Sequence, residues 1–332
     1  MDTIRWGVIA TGKIAHSFAA DLAVTPGATL AAVGSRRLDS AQEFARAYGD
    51  DATRAYDSYE QVAEDPDVDV IYVATPHVMH PDNVRTCLEA GKAVLCEKAL
   101  ALNAVDAEAL VAEARRRGVF FMEAMWMRCN PTIRAVQDMV ATGVIGDVTA
   151  VSADFGFVPD KPPEHRVFDP ALGASALLDI GVYPLTFASL FLGEPEAIVS
   201  TGTLSDRGID LSCASLLSYA NGATATVSST MLALTPSRAT VSGTLGNVEL
   251  PRRFHCPSEY TVTPADPGEA PTTYHVDVLG KGYVHEIEEV HRCLREGRTE
   301  STLVPLDDTV SLMRQMDQIR RQIGSRLPGD PW

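Results

Sequence analysis

The chain has 332 residues, 45% of them hydrophobic and 22% charged, the composition of a globular protein long enough for two ordinary cores. Its formal net charge of −16 argues against a nucleic-acid or anionic-membrane partner, because those need a basic face. No stretch approaches the ~20 continuous apolar residues of a membrane span. The six cysteines (Cys87, Cys96, Cys129, Cys213, Cys256 and Cys293) lack the close spacing of a zinc or redox motif and read as buried free thiols of a reducing compartment. The opening MDTIRWGVIATG has neither a basic region nor a cleavage site before its first strand-like run, so a cytoplasmic protein is expected.

The first third alternates two textures. Apolar runs at 4–10, 28–35, 68–75 and 92–98 look like parallel strands covered on both faces. Between them KIAHSFAADLAV, DSAQEFARAYG, HPDNVRTCLEAGK and NAVDAEALVAEARRRG have helical spacing. Strands alternating with helices predict βαβ units and an α/β, doubly wound parallel sheet, closed by VFFMEAMW to give a first domain over residues 1–125. From 126 to 332 the texture changes. Ser-, Thr- and Val-rich segments at 148–157, 196–205, 210–220, 222–231 and 239–250 alternate in polarity, with turn signals such as Asn221-Gly222. They predict an α+β domain built on a large, mainly antiparallel open sheet, one face packed and the other free to form a homodimer or homotetramer. Helices are expected at 131–142 and 176–192, a low-complexity loop at 263–273, and a last amphipathic helix at 306–326 that packs back on the first domain.

The first strand runs into TGKIA, giving Gly7, Ala10, Gly12 and Ala15. This is the strand–turn–helix fingerprint G-x-G-x-x-G/A with Ala10 in the first glycine's place. Ala10, Thr11, Gly12, Lys13 and Ile14 would form the phosphate loop: Gly12 admits the pyrophosphate to the backbone, Ala15 lets the helix pack close, and the helix N-terminus offers unpaired amides. The second strand ends in Ser35, Arg36 and Arg37 rather than the acid that holds the ribose 2′-hydroxyl of NAD. A hydroxyl and guanidinium groups suit the 2′-phosphate of NADP, so NADP is the expected cofactor, with NAD as the alternative. Asp39 could reach back to the ribose or cap the next helix.

VLCEKALAL (94–102) places Lys98 at the mouth of an apolar strand, where an ammonium is costly to bury and where open α/β sheets bind ligands. DIGVYP sets Asp179 and Tyr183 four positions apart, one turn apart if that segment is helical. Oxidising a carbinol needs a base for the hydroxyl proton, and reducing a ketone needs the matching acid. A tyrosine plays both parts once a neighbouring ammonium lowers it from ~10.

GVIATGKIA, ATPHVMHPDNVRTCLEAGKAVLCEKAL, EAMWMR, GASALLDIGVYPLTFASLFLG and GYVHEIEEVHRCLREG together resemble the Gfo/Idh/MocA family of nicotinamide-dependent sugar and polyol oxidoreductases. EAMWMR with DIGVYP looks closest to its dimeric dihydrodiol dehydrogenase branch, whose members oxidise trans-dihydrodiols and aldopyranoses such as D-xylose with NADP. The resemblance implies Lys98, Asp179 and Tyr183 as catalytic residues: Tyr183 moving the proton, Lys98 supplying charge and a hydrogen bond, Asp179 orienting the sugar or holding Lys98, with Lys98 itself as the alternative proton donor. It further implies Thr75, Pro76, His77 and His80 on the adenine and ribose side, Glu97 at the nicotinamide ribose, Trp126 and Arg128 on the nicotinamide side, and Arg166, then Tyr283, as contacts for cofactor or substrate. His80 could instead cap the helix beginning at Pro81. Three residues depart from the family pattern: Ala10 for glycine, Ala99 for the proline after the lysine, which predicts a less rigid loop, and Tyr183 for histidine.

The expectation is an NADP-dependent enzyme transferring a hydride at a carbinol or ketone carbon of a sugar, polyol or trans-dihydrodiol. Its rivals are a silent NAD(P)-sensing protein, a biosynthetic ketosugar reductase, and hydride transfer between two sugars without cofactor release. No metal is expected, since His77 and His80 have no acidic or thiol partner at ligand spacing.

Overall fold

The computed structural model describes residues 3–162 and 164–332. The chain forms two compact units: residues up to Cys129 with Leu279–Val310, and Asn130–Val278 with Ser311–Trp332. The first unit opens as β1 (Ile4–Ile9), α1 (Lys13–Leu22), β2 (Ala28–Gly34), α2 (Leu38–Tyr48), β3 (Arg54–Tyr56), α3 (Tyr59–Glu64), β4 (Val70–Val73), α4 (His80–Glu89), β5 (Ala93–Glu97), α5 (Ala104–Arg117) and β6 (Phe121–Ala124). The six strands are all parallel, in the order β3-β2-β1-β4-β5-β6. Every residue of β4, β5 and β6 is buried, which is why these strands read as unbroken apolar runs. Helix boundaries follow local chemistry: Asn103 accepts a bond from the amide of Asp106, and Gly118, at φ 66°, ends α5. Gly7 and Gly34 are glycines for packing reasons, since a Cβ on either would come within 2.7 Å of Val62 on α3.

The second unit continues with α6 (Pro131–Ala141), β7 (Val148–Gly156), a π-helical turn (Leu177–Gly181), α7 (Val182–Leu192), β8 (Ala197–Leu204), β9 (Asp210–Ser218), β10 (Thr224–Thr230), β11 (Ala239–Gly243), β12 (Gly246–Leu250), β13 (Glu259–Pro264) and β14 (Thr272–His275). The eight strands order as β14-β13-β12-β11-β7-β10-β9-β8, antiparallel except for β7 with β10. β13 and β14 pair across the segment expected to be only a loop. Pro170–Leu192 is apolar and long enough to pass for a membrane span, yet 72% of that window is buried inside the protein, so it is a core segment. All six cysteines are free thiols.

The closing helices are α8 (Val284–Arg295) and α9 (Leu306–Ile323). Residues 279–310 group with the parallel sheet, whereas the sequence reading set the second domain at 126–332. Side chains of the first unit explain this: buried Asp21 accepts from the amides of Lys281 and Tyr283, and Trp6 donates through Nε1 to His291 Nε2 at 3.0 Å. Only the start of α9 belongs to the first unit; at its other end Gln322 bonds the backbone of Ile198 and Ser200 on β8.

Candidate active site

In a parallel sheet all carboxyl ends lie along one edge, and the strand order reverses between β1 and β4, the position where such sheets bind nucleotides. The turn after β1 has the form a phosphate loop needs. Ala10 sits at φ 75°, left-handed backbone that glycine adopts freely and alanine at a cost of about 1–2 kcal/mol. Gly12 is the N-cap of α1, with no side chain capping the helix. A Cβ built on Gly12 would meet nothing within 4 Å. The turn therefore leaves bare backbone, helix amides and open space together, which fits a pyrophosphate. Exposed Lys13 and half-buried Thr11 and Ile14 complete it.

At the end of β2, buried Ser35 lies 3.5 Å from Thr11 through their hydroxyls. Arg36 and Arg37 are exposed but differ in availability. Arg37 is the N-cap of α2 and grips Asp39 with two nitrogens, Nε to Oδ1 at 3.0 Å and Nη2 to Oδ2. That guanidinium holds the Asp39 carboxyl down at about 2. Asp39 thus engages Arg37 and the amide of Ser40. No ion pair engages Arg36 among the described residues.

The loop after β4 corrects one expectation. Thr75, Pro76 and His77 follow the strand as predicted, with Thr75 Oγ1 accepting from Asn83 at 3.0 Å. His80, however, has no exposed surface, so it neither lines a cofactor surface nor caps a helix with its ring. Its Nε2 is 2.8 Å from the carbonyl of Thr75, and its Nδ1 is 3.1 Å from that of Ala99. Burial pushes the imidazole down to about 4, so the neutral ring carries one N–H and serves one carbonyl at a time. His77 places Nε2 3.1 Å from the carbonyl of Lys98.

These contacts converge on the lysine. Lys98 follows β5, half-buried, and the Lys98–Ala99 peptide is cis. His77 lies at the carbonyl of Lys98 and His80 at that of Ala99, and Glu123 of β6 accepts the amide of Leu100 at 3.1 Å. The loop that lacks proline is tied down by side chains. Glu123, a residue with no signal in the sequence, is buried, with Oε2 taking the hydroxyl of Thr309 at 2.9 Å. Glu97 is also buried and accepts from the hydroxyl of Tyr72; burial raises it to about 6 despite that bond and nearby Lys98. Trp126 stacks on Tyr283 with ring centroids 4.7 Å apart and planes at 17°. Arg128 is turned to internal work, bonding the carbonyl of Leu303 at 2.8 Å and Asp308 at 2.6 Å.

The second unit holds the other motif. Asp179 and Tyr183 are on helical backbone, but they straddle the junction between the π turn and α7; single π turns recur at functional sites. Asp179 does not cap α7. Gly181 permits the turn to sit on the sheet, since a Cβ would come within 2.8 Å of Ser229 Oγ and Leu177 Cδ1. From Gly173 to Ala188 every residue is buried except Asp179, so this acid is the one partly exposed side chain on a core segment. Tyr183, 5% exposed, packs its ring 5.1 Å from His255 and 5.7 Å from Phe155, which stack on each other at 4.5 Å. His255 and Phe155 had no sequence signal, being a lone histidine after a strand and one aromatic among strand residues. Arg166 is exposed on a 3₁₀ turn between β7 and the π turn.

Known proteins place these features. Residues 4–125 match the family model for an oxidoreductase family with an NAD-binding Rossmann fold, and residues 133–249 match the Gfo/Idh/MocA C-terminal domain. A trans-1,2-dihydrobenzene-1,2-diol dehydrogenase from Bos taurus is 36% identical over 337 residues, spanning 98% of this chain and 99% of that protein. The chain belongs to the Gfo/Idh/MocA oxidoreductase family. It is therefore an NAD(P)-binding dehydrogenase or reductase rather than a silent sensor. The Homo sapiens protein of the same name as the bovine one is 37% identical with the same coverage. A 3-ketoreductase from Actinomadura kijaniata, crystallised with NADP and TDP-benzene, superposes with a TM-score of 0.86 at 29% identity over 97% of this chain and 98% of that one. That ketoreductase was also crystallised with a lysine changed to alanine and with a tyrosine changed to phenylalanine. An aldose-aldose oxidoreductase from Caulobacter crescentus shares the fold at a TM-score of 0.86 and 24% identity, over 96% of this chain and 97% of that one.

Proposed function

We propose that this cytoplasmic enzyme uses NADP to move a hydride between the nicotinamide and a carbinol or ketone carbon of a sugar, polyol or trans-dihydrodiol. The observation that carries the reading is Lys98: a half-buried lysine after β5 whose carbonyl is held by His77 and whose following loop is held by His80 at Ala99 and Glu123 at Leu100. A structural lysine at a strand end needs no such support. Bound NADP accepts or supplies the hydride. Tyr183 takes the hydroxyl proton in oxidation and returns it in reduction, Lys98 favours the phenolate by its charge and bonds the substrate oxygen, and Asp179 orients the substrate. The relatives named trans-1,2-dihydrobenzene-1,2-diol dehydrogenase support oxidation of a diol, and the neighbour named a 3-ketoreductase supports reduction of a ketone in the opposite direction.

The test is NADP+ reduction followed by absorbance over D-xylose, D-glucose, inositol and trans-dihydrodiols, with NADPH oxidation by ketosugars alongside. Turnover of any member fixes reaction and substrate class; tight NADPH binding with no turnover in either direction would sink the reading. The cofactor preference is assigned to Arg36, since Arg37 is held by Asp39. Arg36→Ala is expected to cut the preference for NADPH over NADH about tenfold in measured Kd, and Arg37→Ala to change it far less. Equal losses would mean that Asp39 releases Arg37 to the phosphate.

We further assign the outer face of the eight-stranded sheet to self-association. Val199 and Leu216 are cross-strand partners yet 68% and 48% exposed, amid Ser, Thr and Ala on the same face. Light scattering is expected to return two or four times the 35.7 kDa chain mass, and Val199→Glu with Leu216→Glu to return monomers. A monomeric wild type would remove the assignment.

A further inference from the structure

Glu286 has no function in the reaction as described and no ordinary structural excuse. It lies in the first turn of α8 with no exposed surface, and neither of its carboxyl oxygens has a hydrogen-bond partner among the described residues. A carboxylate so placed is costly to ionise, and replacing it would relieve the fold. It sits within electrostatic reach of Glu97, the last residue of β5, and of Asp21 on α1. Tyr72 on β4 stands within reach of both glutamates and of Tyr283, donates its hydroxyl to Glu97, and stacks on Phe18 at 3.7 Å.

Lys98, Glu123 and the buried Cys96 thiol also face Glu97. Two of the acids are already satisfied. Asp21 takes the amides of Lys281 and Tyr283, and Glu123 takes Leu100 and Thr309. Glu97 takes the hydroxyl of Tyr72 and the backbone amide of Lys98, yet burial still raises it, and Glu286 has no donor among the described residues. These two are therefore the acids on which a proton is least firmly settled.

We propose that Glu97 and Glu286 act as a buried acid pair that answers the charge of the nicotinamide, releasing a proton when the positively charged oxidised ring binds and keeping it when the neutral reduced ring binds. The inference rests on the reading that the nicotinamide lies by the carboxyl end of β5, beside Lys98. Burial favours the protonated form of both acids, Glu97 to about 6 and Glu286 well above the ordinary carboxyl value. A cation arriving over Glu97 pulls the other way, because opposite charge favours the ionised acid. The sign follows from linkage: NADP+ binding strengthens as pH rises through about 6, while NADPH binding lacks this dependence. The pair would thus help the site to hold the oxidised cofactor and to lose that preference once hydride has arrived.

The experiment is calorimetric titration of the whole protein with NADP+ and with NADPH at pH 6.5, in two buffers of different ionisation enthalpy. The 2′-phosphate is common to both ligands, so it cancels in the difference. The expected result is a fraction of a proton more released with NADP+ than with NADPH, and a Kd ratio of NADP+ to NADPH that falls about fourfold between pH 5.5 and 8. Glu286→Gln keeps the shape, removes the titration, and is expected to flatten both differences. Equal proton release by the two cofactors in the wild type overturns the proposal, whatever the variant does. Absence of binding by either cofactor overturns the nicotinamide placement and the proposal with it.

Discussion

Tyr183→Phe is expected to lower kcat by about 10²–10⁴-fold, the span a positioned general acid or base supplies, with NADPH binding unchanged. The substitution removes one oxygen from a ring whose surroundings are aromatic, Phe155 and His255, so the packing that holds the ring survives. Lys98→Ala is expected to cost a similar factor for a different reason. Its carbonyl is held by His77 and that of the next residue, Ala99, by His80, and these bonds do not involve the ammonium.

If the two side chains serve one proton, the double variant loses little more than the worse single variant, because groups acting as a unit are not additive. If each acts independently, the losses multiply. Steady-state kinetics on the four proteins decides between these outcomes, and retention of turnover in both single variants would remove the proposed mechanism. Activity lost in Lys98→Ala but kept in Tyr183→Phe would move the proton to the lysine.

The sequence made the parallel sheet legible because each of its central strands is covered on both faces, and burial on both faces leaves a continuous apolar run. β3 escaped notice because three half-buried residues at a sheet edge, Arg54 to Tyr56, carry no such run. β13 and β14 escaped because the Pro- and Gly-rich turn between them dominates the local composition. The motifs around Lys98 and Asp179/Tyr183 are legible by family pattern, yet what holds them is not. His80 looked like a cofactor contact because it follows a strand end; its burial depends on the Lys98–Leu100 loop folding over it, and that is a tertiary fact. Arg36 and Arg37 looked equivalent until Asp39 took one of them. Glu286 sits in an amphipathic helix whose spacing reports which face is inside, but not that an acid on that face goes without a partner.

Gly12→Val is expected to leave the apo-protein's thermal midpoint within a degree or two of wild type while weakening NADPH binding about a hundredfold or more. Gly12 has φ −77° and ψ 175°, extended backbone that valine adopts readily, and a Cβ there would touch nothing within 4 Å. Removing a glycine also reduces the freedom of the unfolded chain, which favours the folded one slightly. The open space that makes the change harmless to the empty protein is the space the pyrophosphate would occupy. A branched side chain there holds the phosphates off the α1 amides, and losing charge-assisted bonds worth about 1.5–3 kcal/mol each amounts to roughly two decades or more in Kd.

Gly7→Ala in the same strand–turn–helix should show the reverse signature. Its Cβ would come within 2.7 Å of Val62 and 3.1 Å of Val68, so the thermal midpoint falls first and binding suffers only through the fold. Thermal melts and NADPH fluorescence titrations of both variants separate a glycine kept for the ligand from one kept for the core. A drop in thermal midpoint for Gly12→Val with unchanged NADPH affinity would show that the turn, and not the cofactor, requires that glycine.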